Sequence, residues 1–259
     1  MTLDARGGAR GRSGRSRLGG VPTTLPPGPA DEGRVGQLAF GLTGDDRPSV
    51  RREVLPGVVH VAHWLRLDEQ QALVREFRRW AEPPAGLRHP RVPAGHVMTV
   101  QSVCLGWHWY PYVYSRTADD TDGAPVKPMP DDVVALAQRA VAATCGTAAG
   151  DVYAPDAAIV NLYAPGAHLG LHQDWEEPAA APVVTISLGD TCVFRMAGVD
   201  RRTSPFTDAL LESGDLLVFG GPNRLIFHGV PKVLDGTAPA GLGLPAGRLS
   251  ITVRETGLA

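Results

Sequence analysis

Residues 161–177 have the sequence NLYAPGAHLGLHQDWEE, in which one short β-rich run ends at Pro165 and Gly166 and the next leads to His172 and Asp174. Similar runs, separated by glycine, proline and aspartate, occur at residues 157–163, 183–188, 192–196, 215–219, 225–228 and 248–254. Many short strands with turn signals and no intervening helices are typical of an antiparallel sandwich or barrel. Residues 151–259 are therefore predicted to form a β core.

Two amphipathic helices are predicted upstream of this core. In Leu67–Trp80 apolar side chains recur at i, i+4 and i+7 while arginines occupy the opposite face, and Pro83 and Pro84 end the segment. The second helix extends from Asp131, its predicted N-cap, to Thr144. The chain is thus predicted to be mainly β with flanking helices, an α+β fold in which residues 51–150 precede the β core.

The composition limits the classes of protein to which the chain can belong. It has 259 residues, 43% of them hydrophobic, and a formal net charge of -2. No apolar run approaches the ~20 residues of a membrane-spanning helix, so no membrane partner is expected. The balanced charge excludes a surface that is basic throughout. Three scattered cysteines and the lack of a secretion signal predict a cytoplasmic protein.

The first 50 residues differ in composition from the rest. Residues 1–20 contain five arginines and six glycines with a single acid, and residues 21–50 are rich in proline and polar residues. Such segments bury too little apolar surface to offset the entropy lost on ordering. We therefore expect a disordered basic arm and linker at residues 1–50, followed by one domain at 51–259.

Three residues have the chemistry of a metal site. His172 and Asp174 are two apart, so on a strand both side chains point to the same face. His228 follows a Gly-Gly-Pro turn. Two histidines and one carboxylate form the facial triad of non-haem Fe(II) oxygenases, which leaves coordination positions for a 2-oxo acid and dioxygen. On these residues alone, a chance His-x-Asp pair beside an ordinary strand histidine is the stronger interpretation.

The C-terminal strand changes that balance. In residues 248–254, RLSITVR, period-two alternation places Arg248, Ser250, Thr252 and Arg254 on one face and three aliphatic residues on the other. Two arginines on one face of a core strand are unusual, and a solvated surface strand is the alternative. The gap expected between the two guanidinium groups suits a short dicarboxylate. Together, the strand and the metal pattern favour an oxygenase.

These segments resemble the AlkB-like Fe(II)/2-oxoglutarate dioxygenases, which demethylate alkylated nucleic-acid bases, and in particular the bacterial members that repair DNA. The resemblance covers residues 54–257. The motifs that carry it are NLYAPGAHLGLHQD, PVVTISLG at 182–189, GDLLVFGG at 214–221, RLIFHG at 224–229, RLSITVRETG at 248–257, and an upstream LGW followed by PYVYS. It implies a double-stranded β-helix (jelly-roll) core with an N-terminal extension that forms a lid over a nucleotide.

The resemblance also assigns roles to individual residues. The iron ligands are His172, Asp174 and His228. The expected contacts to 2-oxoglutarate are Asn161, Tyr163, Arg248, Ser250 and Arg254. The expected substrate contacts are Trp107, Tyr112, Tyr114, Glu176 and Arg201, with the damaged base stacked between Trp107 and His172. The cofactor is then Fe(II), and 2-oxoglutarate and O2 are co-substrates.

Several positions depart from the pattern of the bacterial members. Ser250 stands where those members have an asparagine, Glu176 is one methylene longer than their aspartate, and Trp175 replaces a basic residue. The segment between Trp107 and Tyr112 is also shorter. These differences affect predicted substrate contacts and one predicted contact to 2-oxoglutarate. The predicted metal ligands and the two arginines, Arg248 and Arg254, match the pattern.

The predicted function is oxidative demethylation of N-alkylated bases, of the 1-methyladenine and 3-methylcytosine type, with release of formaldehyde, succinate and CO2. Alkylated DNA, preferably single-stranded, is the expected partner, RNA is a second one, and a monomer is expected. Two alternatives stay open, namely the same chemistry on RNA, protein or lipid, and a non-oxygenase metal-binding jelly roll. The paired arginines disfavour the latter. A nucleobase is favoured by the lid aromatics Trp107, Trp109, Tyr110, Tyr112 and Tyr114.

Overall fold

The computed structural model describes residues 47–92 and 95–259. The strands are β1 (Val50–Leu55), β2 (Val58–Ala62), β3 (Gln101–Leu105), β4 (His108–Tyr110), β5 (Val113–Ser115), β6 (Ala157–Tyr163), β7 (Leu169–His172), β8 (Val183–Gly189), β9 (Thr191–Met196), β10 (Thr207–Leu211), β11 (Leu216–Phe219), β12 (His228–Leu234) and β13 (Arg248–Arg254). The helices are α1 (Leu67–Ala81), α2 (Asp131–Cys145) and α3 (Thr147–Val152). Most of the predicted arm and linker, residues 1–46, lies outside the described residues.

Two antiparallel sheets form the core. The larger has seven strands in the order β1-β2-β11-β8-β13-β6-β3, and the smaller has four in the order β10-β9-β12-β7. Apolar side chains from both sheets, among them Phe194 on β9, Phe219 on β11 and Val230 on β12, form one buried cluster between them. Two facing antiparallel sheets with crossover connections are the predicted jelly-roll architecture. The predicted fold class is therefore confirmed.

Strand β13 of the larger sheet has one apolar face and one polar face. Leu249, Ile251 and Val253 of β13 belong to the cluster that packs against α1 and α2. The alternate residues of β13 face the smaller sheet and are buried as well, with Arg248 and Arg254 at 0% and 5% exposure. Alternation along a strand sends successive side chains to opposite faces, so the polar face of β13 lies inside the molecule.

Both predicted helices are present. In α1, Phe77 and Trp80 are buried while the arginines are exposed, as the apolar spacing predicts. Helix α2 starts at Asp131 as its first helical residue, and Pro130, with extended backbone angles, is the N-cap. The predicted cap was therefore one residue too late. Proline fits there because its fixed φ suits a residue that has no intrahelical N–H bond to make. Among the described residues, no helix is long and apolar enough to cross a membrane.

One predicted strand was wrong, and several short elements were missed. A 3-10 turn at Gly221–Asn223 precedes residues 225–227, which lie outside any strand, and β12 begins only at His228. The missed elements include β7, β10 and α3. Strand β12 also has an irregular register around Pro231, where a residue without an N–H cannot complete the ladder. The short strands β7 and β10 form through pairing with β12 and β9, respectively, and local sequence patterns do not reveal this pairing.

Candidate metal centre and substrate cavity

The three predicted metal ligands meet in the smaller sheet. His172 is the last residue of β7 and His228 is the first of β12, and the two are direct partners across this antiparallel pair. Asp174 follows two residues after His172 and is 3% exposed. Ligand atoms of the three side chains all lie within 4.8 Å of one another. The described residues therefore contain one cluster with facial-triad geometry.

A glycine lets the two histidine strands approach closely. A Cβ atom at Gly229, next to His228, would lie 2.7 Å from the carbonyl oxygen of Leu169 and 2.8 Å from that of Gly170. Real Cβ atoms do not approach a backbone oxygen so closely, because the contact is inside van der Waals distance. His228 is thus the predicted metal ligand, and the adjacent Gly229 allows β7 to pack closely against β12.

The histidines present their Nε2 atoms to the site. Nδ1 of His172 lies 2.9 Å from the carbonyl oxygen of Gly170, and Nδ1 of His228 lies 3.0 Å from that of Ile226. A ring nitrogen that donates to a carbonyl fixes the tautomer and leaves the other nitrogen as the metal ligand. Nε2 of His172 and of His228 lie 3.7 and 3.8 Å from the Asp174 carboxylate oxygens.

Electrostatics favour the metal-binding forms of these side chains. Burial opposes ionisation of Asp174, but Arg254 and the two histidines outweigh it and hold the pKa of Asp174 well below its usual range. Burial, together with the charge of His172, lowers the pKa of His228 to about 4. At neutral pH Asp174 is therefore a carboxylate and His228 a neutral imidazole, the forms that bind a divalent cation.

Buried arginines fix the loop that carries Asp174. Nη2 of Arg254 lies 2.8 Å from Oδ1 of Asp174. Nη1 of Arg254 donates to Oε1 of Glu177 at 3.0 Å and to the hydroxyl of Tyr114 at 2.8 Å, and that hydroxyl donates to Glu177. Arg224 donates to Glu177 at 3.2 Å and to the backbone oxygen of Asp174 at 2.9 Å. Tyr114, predicted as a substrate contact, therefore joins β5 to the metal loop.

The other arginine of β13 has free donors. Nε of Arg248 donates to the hydroxyl of Ser187 at 2.9 Å, and its guanidinium lies 5.1 Å from the ring centre of Tyr163. Both Nη atoms are buried and have no hydrogen-bond partner among the described residues. A buried guanidinium with two free donors matches one carboxylate group of a ligand, because the fork binds both oxygens at once.

A small cavity lies beside the metal ligands. The two histidines line it together with four of the five predicted 2-oxoglutarate contacts, which are Asn161, Tyr163, Ser250 and Arg254. Arg248 does not line the cavity, but its guanidinium lies over the ring of Tyr163, which does. Asn161 is held by the hydroxyl of Ser102, which donates to its Oδ1 at 2.6 Å. All five residues predicted to contact 2-oxoglutarate are therefore gathered beside the metal ligands.

A larger cavity of about 300 Å³ opens from the metal ligands to the surface. His172, Asp174 and Glu176 line it, as do Trp109 and Tyr112. Burial raises the pKa of Glu176. Tyr112 is 53% exposed and its ring centre lies 6.4 Å from that of Trp175, itself 60% exposed. The cavity thus has aromatic, acidic and metal-ligating groups around one space.

Three predicted substrate contacts do not line this cavity, namely Tyr114, which joins β5 to the metal loop, Trp107 and Arg201. Trp107 is 6% exposed, its Nε1 donates to Asp156 at 3.0 Å, and the guanidinium of Arg116 covers its ring. Trp107 does not line the cavity, whereas Trp109, two residues further along the chain, lines it. Arg201 is exposed and absent from the cavity lining, where Arg202 is present instead. In the lining itself, the tryptophan is Trp109 and the arginine near residue 201 is Arg202.

Comparison with known proteins agrees with this geometry. Residues 57–254 match the model of the 2OG-Fe(II) oxygenase superfamily. Over 194 residues, the chain is 40% identical to the alpha-ketoglutarate-dependent dioxygenase AlkB of Escherichia coli strain K12, covering 72% of this chain and 85% of that protein. The chain belongs to the AlkB family of 2OG-Fe(II) dioxygenases.

Other AlkB-family proteins are similar as well. The DNA N(6)-methyladenine demethylase ALKBH1D of Arabidopsis thaliana is 34% identical over 221 residues, and the match covers 78% of this chain but only half of the length of the plant protein. The solved structure of OsALKBH1 superposes with a TM-score of 0.72 at 32% identity, covering 80% of this chain and 100% of that one. The jelly-roll core is therefore shared across the family.

The residues of this chain fit the cofactors of the family. The triad supplies two histidine nitrogens and one carboxylate for Fe(II), and Oδ2 of Asp174 is buried without a hydrogen-bond partner among the described residues. The free donors of Arg248 fit the distal carboxylate of 2-oxoglutarate. The sequence prediction missed Glu177 and Arg224, which hold the metal loop. The charged run after Asp174 was the available signal for Glu177.

Proposed function

We propose that this AlkB-family enzyme oxidatively demethylates N-alkylated bases in nucleic acid, with single-stranded DNA as its preferred substrate. The observation that carries the proposal is the 300 Å³ cavity, in which Trp109 and Glu176 line the same space as two metal ligands. An aromatic wall suits the flat face of a base, and a carboxylate suits its polar or cationic edge. A cavity that has an aromatic ring and a carboxylate beside the metal ligands suits a modified nucleobase.

The chain's own residues prepare the reaction in two layers. In the inner layer, Arg254 orients the Asp174 carboxylate and Arg248 binds the distal carboxylate of 2-oxoglutarate. In the outer layer, Trp109 and His172 bound the space for the base. When bound, Fe(II) with 2-oxoglutarate and O2 oxidises the N-methyl group to N-hydroxymethyl, which leaves as formaldehyde, while 2-oxoglutarate becomes succinate and CO2.

The cavity requires the base to leave its stack. A methyl group on the Watson–Crick edge prevents normal pairing, so turning the damaged base out of a duplex costs less than turning out an intact one. Single strands avoid most of that cost. A base that is cationic through methylation also gains from the ring of Trp109 and from the nearby Glu176 carboxylate. These effects support bases of the 1-methyladenine and 3-methylcytosine type.

The Arabidopsis relative supports a second candidate lesion. Its name specifies demethylation of N(6)-methyladenine in DNA, a neutral base with the methyl group on its exocyclic nitrogen. A neutral base gains less from an acidic cavity wall than a cationic one does. We therefore place 1-methyladenine and 3-methylcytosine ahead of N(6)-methyladenine, and we propose repair of alkylation damage as the biological role.

A substrate panel tests the proposal. The Fe(II)-loaded protein is incubated with 2-oxoglutarate and oligonucleotides that carry 1-methyladenine, 3-methylcytosine, N(6)-methyladenine or no methyl group, as single-stranded DNA, duplex DNA and RNA. Formaldehyde and succinate are measured together, with Asp174→Ala as the matched control. We expect formaldehyde from the first two lesions, fastest in single-stranded DNA. Succinate production that no methylated oligonucleotide stimulates would instead favour a protein or lipid substrate.

We further propose that the enzyme is a cytoplasmic monomer. The three cysteines, Cys104, Cys145 and Cys192, are free thiols in the structure, which suits a reducing compartment. Light scattering coupled to size-exclusion chromatography measures the molar mass, and a mass near twice 27.4 kDa would contradict the monomer.

A further inference from the structure

A cluster of ionisable side chains lies behind Trp109, outside the metal centre. We define the Cys104 cluster as Arg88, Cys104, His108 and Asp120. Nε2 of His108 lies 2.5 Å from Oδ1 of Asp120, and Nε of Arg88 lies 3.2 Å from both oxygens of that carboxylate. Nη1 of Arg88 lies 3.6 Å from Sγ of Cys104. Arg88, Cys104 and His108 are 8%, 1% and 1% exposed.

The Cys104 cluster holds both backbone polar groups of Trp109. The N–H of Trp109 donates to Sγ of Cys104 at 3.4 Å, and the carbonyl oxygen accepts from Nη2 of Arg88 and from the Cys104 thiol, whose Sγ lies 3.7 Å away. Opposite residues in an antiparallel pair either exchange both backbone hydrogen bonds or neither. Trp109 pairs with Tyr114 across the β4–β5 hairpin, and its own polar groups are directed to the cluster. The cluster therefore takes the place of a neighbouring strand.

The hairpin needs such support. Strands β4 and β5 have three residues each and form a two-stranded sheet that is separate from both core sheets. A two-stranded hairpin of this length is at best marginally stable in water. Its turn contains Tyr112, which is exposed and has a positive φ of 75°. Without a rigid attachment, the indole of Trp109 would not keep one position in the cavity.

The charges within the cluster strengthen this attachment. Burial opposes ionisation of the Cys104 thiol, but the neighbouring His108 and the charge of Arg88 outweigh it and lower the pKa of Cys104. Burial likewise opposes protonation of His108, but its interactions with Cys104 and Asp120 raise the pKa of that imidazole. The charged neighbours therefore favour a compact cluster around the sulfur that contacts the Trp109 backbone.

We propose that the Cys104 cluster is a positioning device that fixes Trp109 as the wall against which the substrate base stacks. Its residues do not touch the base, and they act through the backbone of Trp109. The inference rests on the proposed function, because it concerns a residue assigned to the proposed substrate. It assigns Cys104, His108 and Asp120 a role in substrate affinity and none in the metal chemistry.

A double-mutant cycle tests the proposal. Cys104→Ala should raise the KM for a 1-methyladenine oligonucleotide about 5- to 10-fold, the effect of one lost hydrogen bond of roughly 1 kcal/mol. Substrate-free succinate formation and the KM for 2-oxoglutarate should change less than 2-fold. In a Trp109→Ala background, Cys104→Ala should have no further effect on the KM, because the indole that the cluster positions is already absent. Independent effects that multiply would overturn the proposal.

Controls separate positioning from general destabilisation. Val74→Ala removes a side chain in α1 that is 1% exposed and belongs to the apolar cluster with Ile251 and Val253. If it lowers Tm as much as Cys104→Ala does, it should still leave the oligonucleotide KM unchanged. Cys104→Ser keeps a hydrogen-bonding group and should restore part of the affinity.

A spectroscopic measurement keeps the proposal testable if no methylated oligonucleotide is a substrate. The near-UV circular dichroism that Trp109→Phe removes should also be lost in Cys104→Ala and retained in Val74→Ala. Retention of that signal in Cys104→Ala would overturn the positioning role. A wild-type protein that keeps the signal but oxidises no oligonucleotide would overturn only the proposed function.

Discussion

Replacing Arg248 with methionine should remove 2-oxoglutarate binding without weakening the fold. Arg248 is fully buried, and both of its Nη atoms lack a partner among the described residues. Within the described part of the chain, its side chain makes one hydrogen bond, the 2.9 Å bond from Nε to Ser187. Methionine has similar length and fills irregular space in a core. The change therefore deletes donors that the fold itself does not use.

The magnitude follows from those two donors. Hydrogen bonds to charged groups contribute ~1.5 to 3 kcal/mol each, so a bidentate pair lost from the distal carboxylate costs ~3 kcal/mol or more. That figure corresponds to a rise of roughly 150-fold in the Kd for 2-oxoglutarate. Losing the bond to Ser187 costs ~1 kcal/mol, but two unpaired buried donors disappear as well. The free energy of unfolding without co-substrate should thus change by no more than ~1 kcal/mol.

Arg254→Met is the matched control on the same face of the same strand. This arginine is paired with Asp174 and Glu177 in the absence of any ligand, so its removal leaves two buried carboxylates without that partner. Breaking buried ion pairs typically costs ~3 to 5 kcal/mol, which lowers Tm by roughly 6 °C or more in a domain of this size.

Thermal unfolding with increasing 2-oxoglutarate, in the presence of Mn(II) under anaerobic conditions, measures both quantities. We expect Arg248→Met to keep its basal Tm and lose the ligand-induced increase, and Arg254→Met to lose basal Tm. A wild-type response to 2-oxoglutarate in Arg248→Met, or a larger basal loss there than in Arg254→Met, would refute the assignment of the two arginines.

Four further outcomes are expected. Asp174→Ala should lose Fe(II) on anaerobic dialysis, because two histidines alone hold the ion weakly; retained stoichiometric iron would contradict the triad. Trp109→Ala should raise the oligonucleotide KM far more than it lowers substrate-free succinate formation, and Trp107→Ala should lower Tm instead; the reverse pattern would restore Trp107 as the stacking residue. Gly229→Ala should abolish iron binding in soluble protein, because its Cβ would push β7 from β12; normal iron affinity would disprove the packing argument. Deleting residues 1–20 should flatten the salt dependence of oligonucleotide affinity by about 1 to 3 units of slope, and an unchanged slope would make the arm inert.

The sequence predicted those parts of the site that depend on local spacing. His172 and Asp174 lie two apart beside a strand, and alternation along β13 put both arginines on one face. Each inference needs only the period of an extended chain. His228 could be added from sequence because it follows a turn and precedes a glycine, although its register opposite His172 is visible only in the structure.

The parts that failed depend on pairing between distant segments. The sequence pattern does not distinguish Trp107 from Trp109. In the structure Trp107 is bound to Asp156, whereas the backbone of Trp109 is bound to Arg88 and Cys104 and its side chain lines the cavity. The buried pair of Glu177 and Arg224 joins residues 47 positions apart. Neither contact leaves a periodic signal in the sequence, because both form only when the sheets pack.

The ratio of formaldehyde to succinate tests the central claim most directly. Fe(II)-loaded protein is given limiting 2-oxoglutarate and excess single-stranded DNA that contains one 1-methyladenine, and both products are quantified against an unmethylated oligonucleotide of the same sequence. We expect about one formaldehyde per succinate with the methylated strand, no formaldehyde with the unmethylated strand, and neither product with His228→Ala. Succinate that forms at the same rate with both strands and without formaldehyde would contradict a nucleic-acid demethylase.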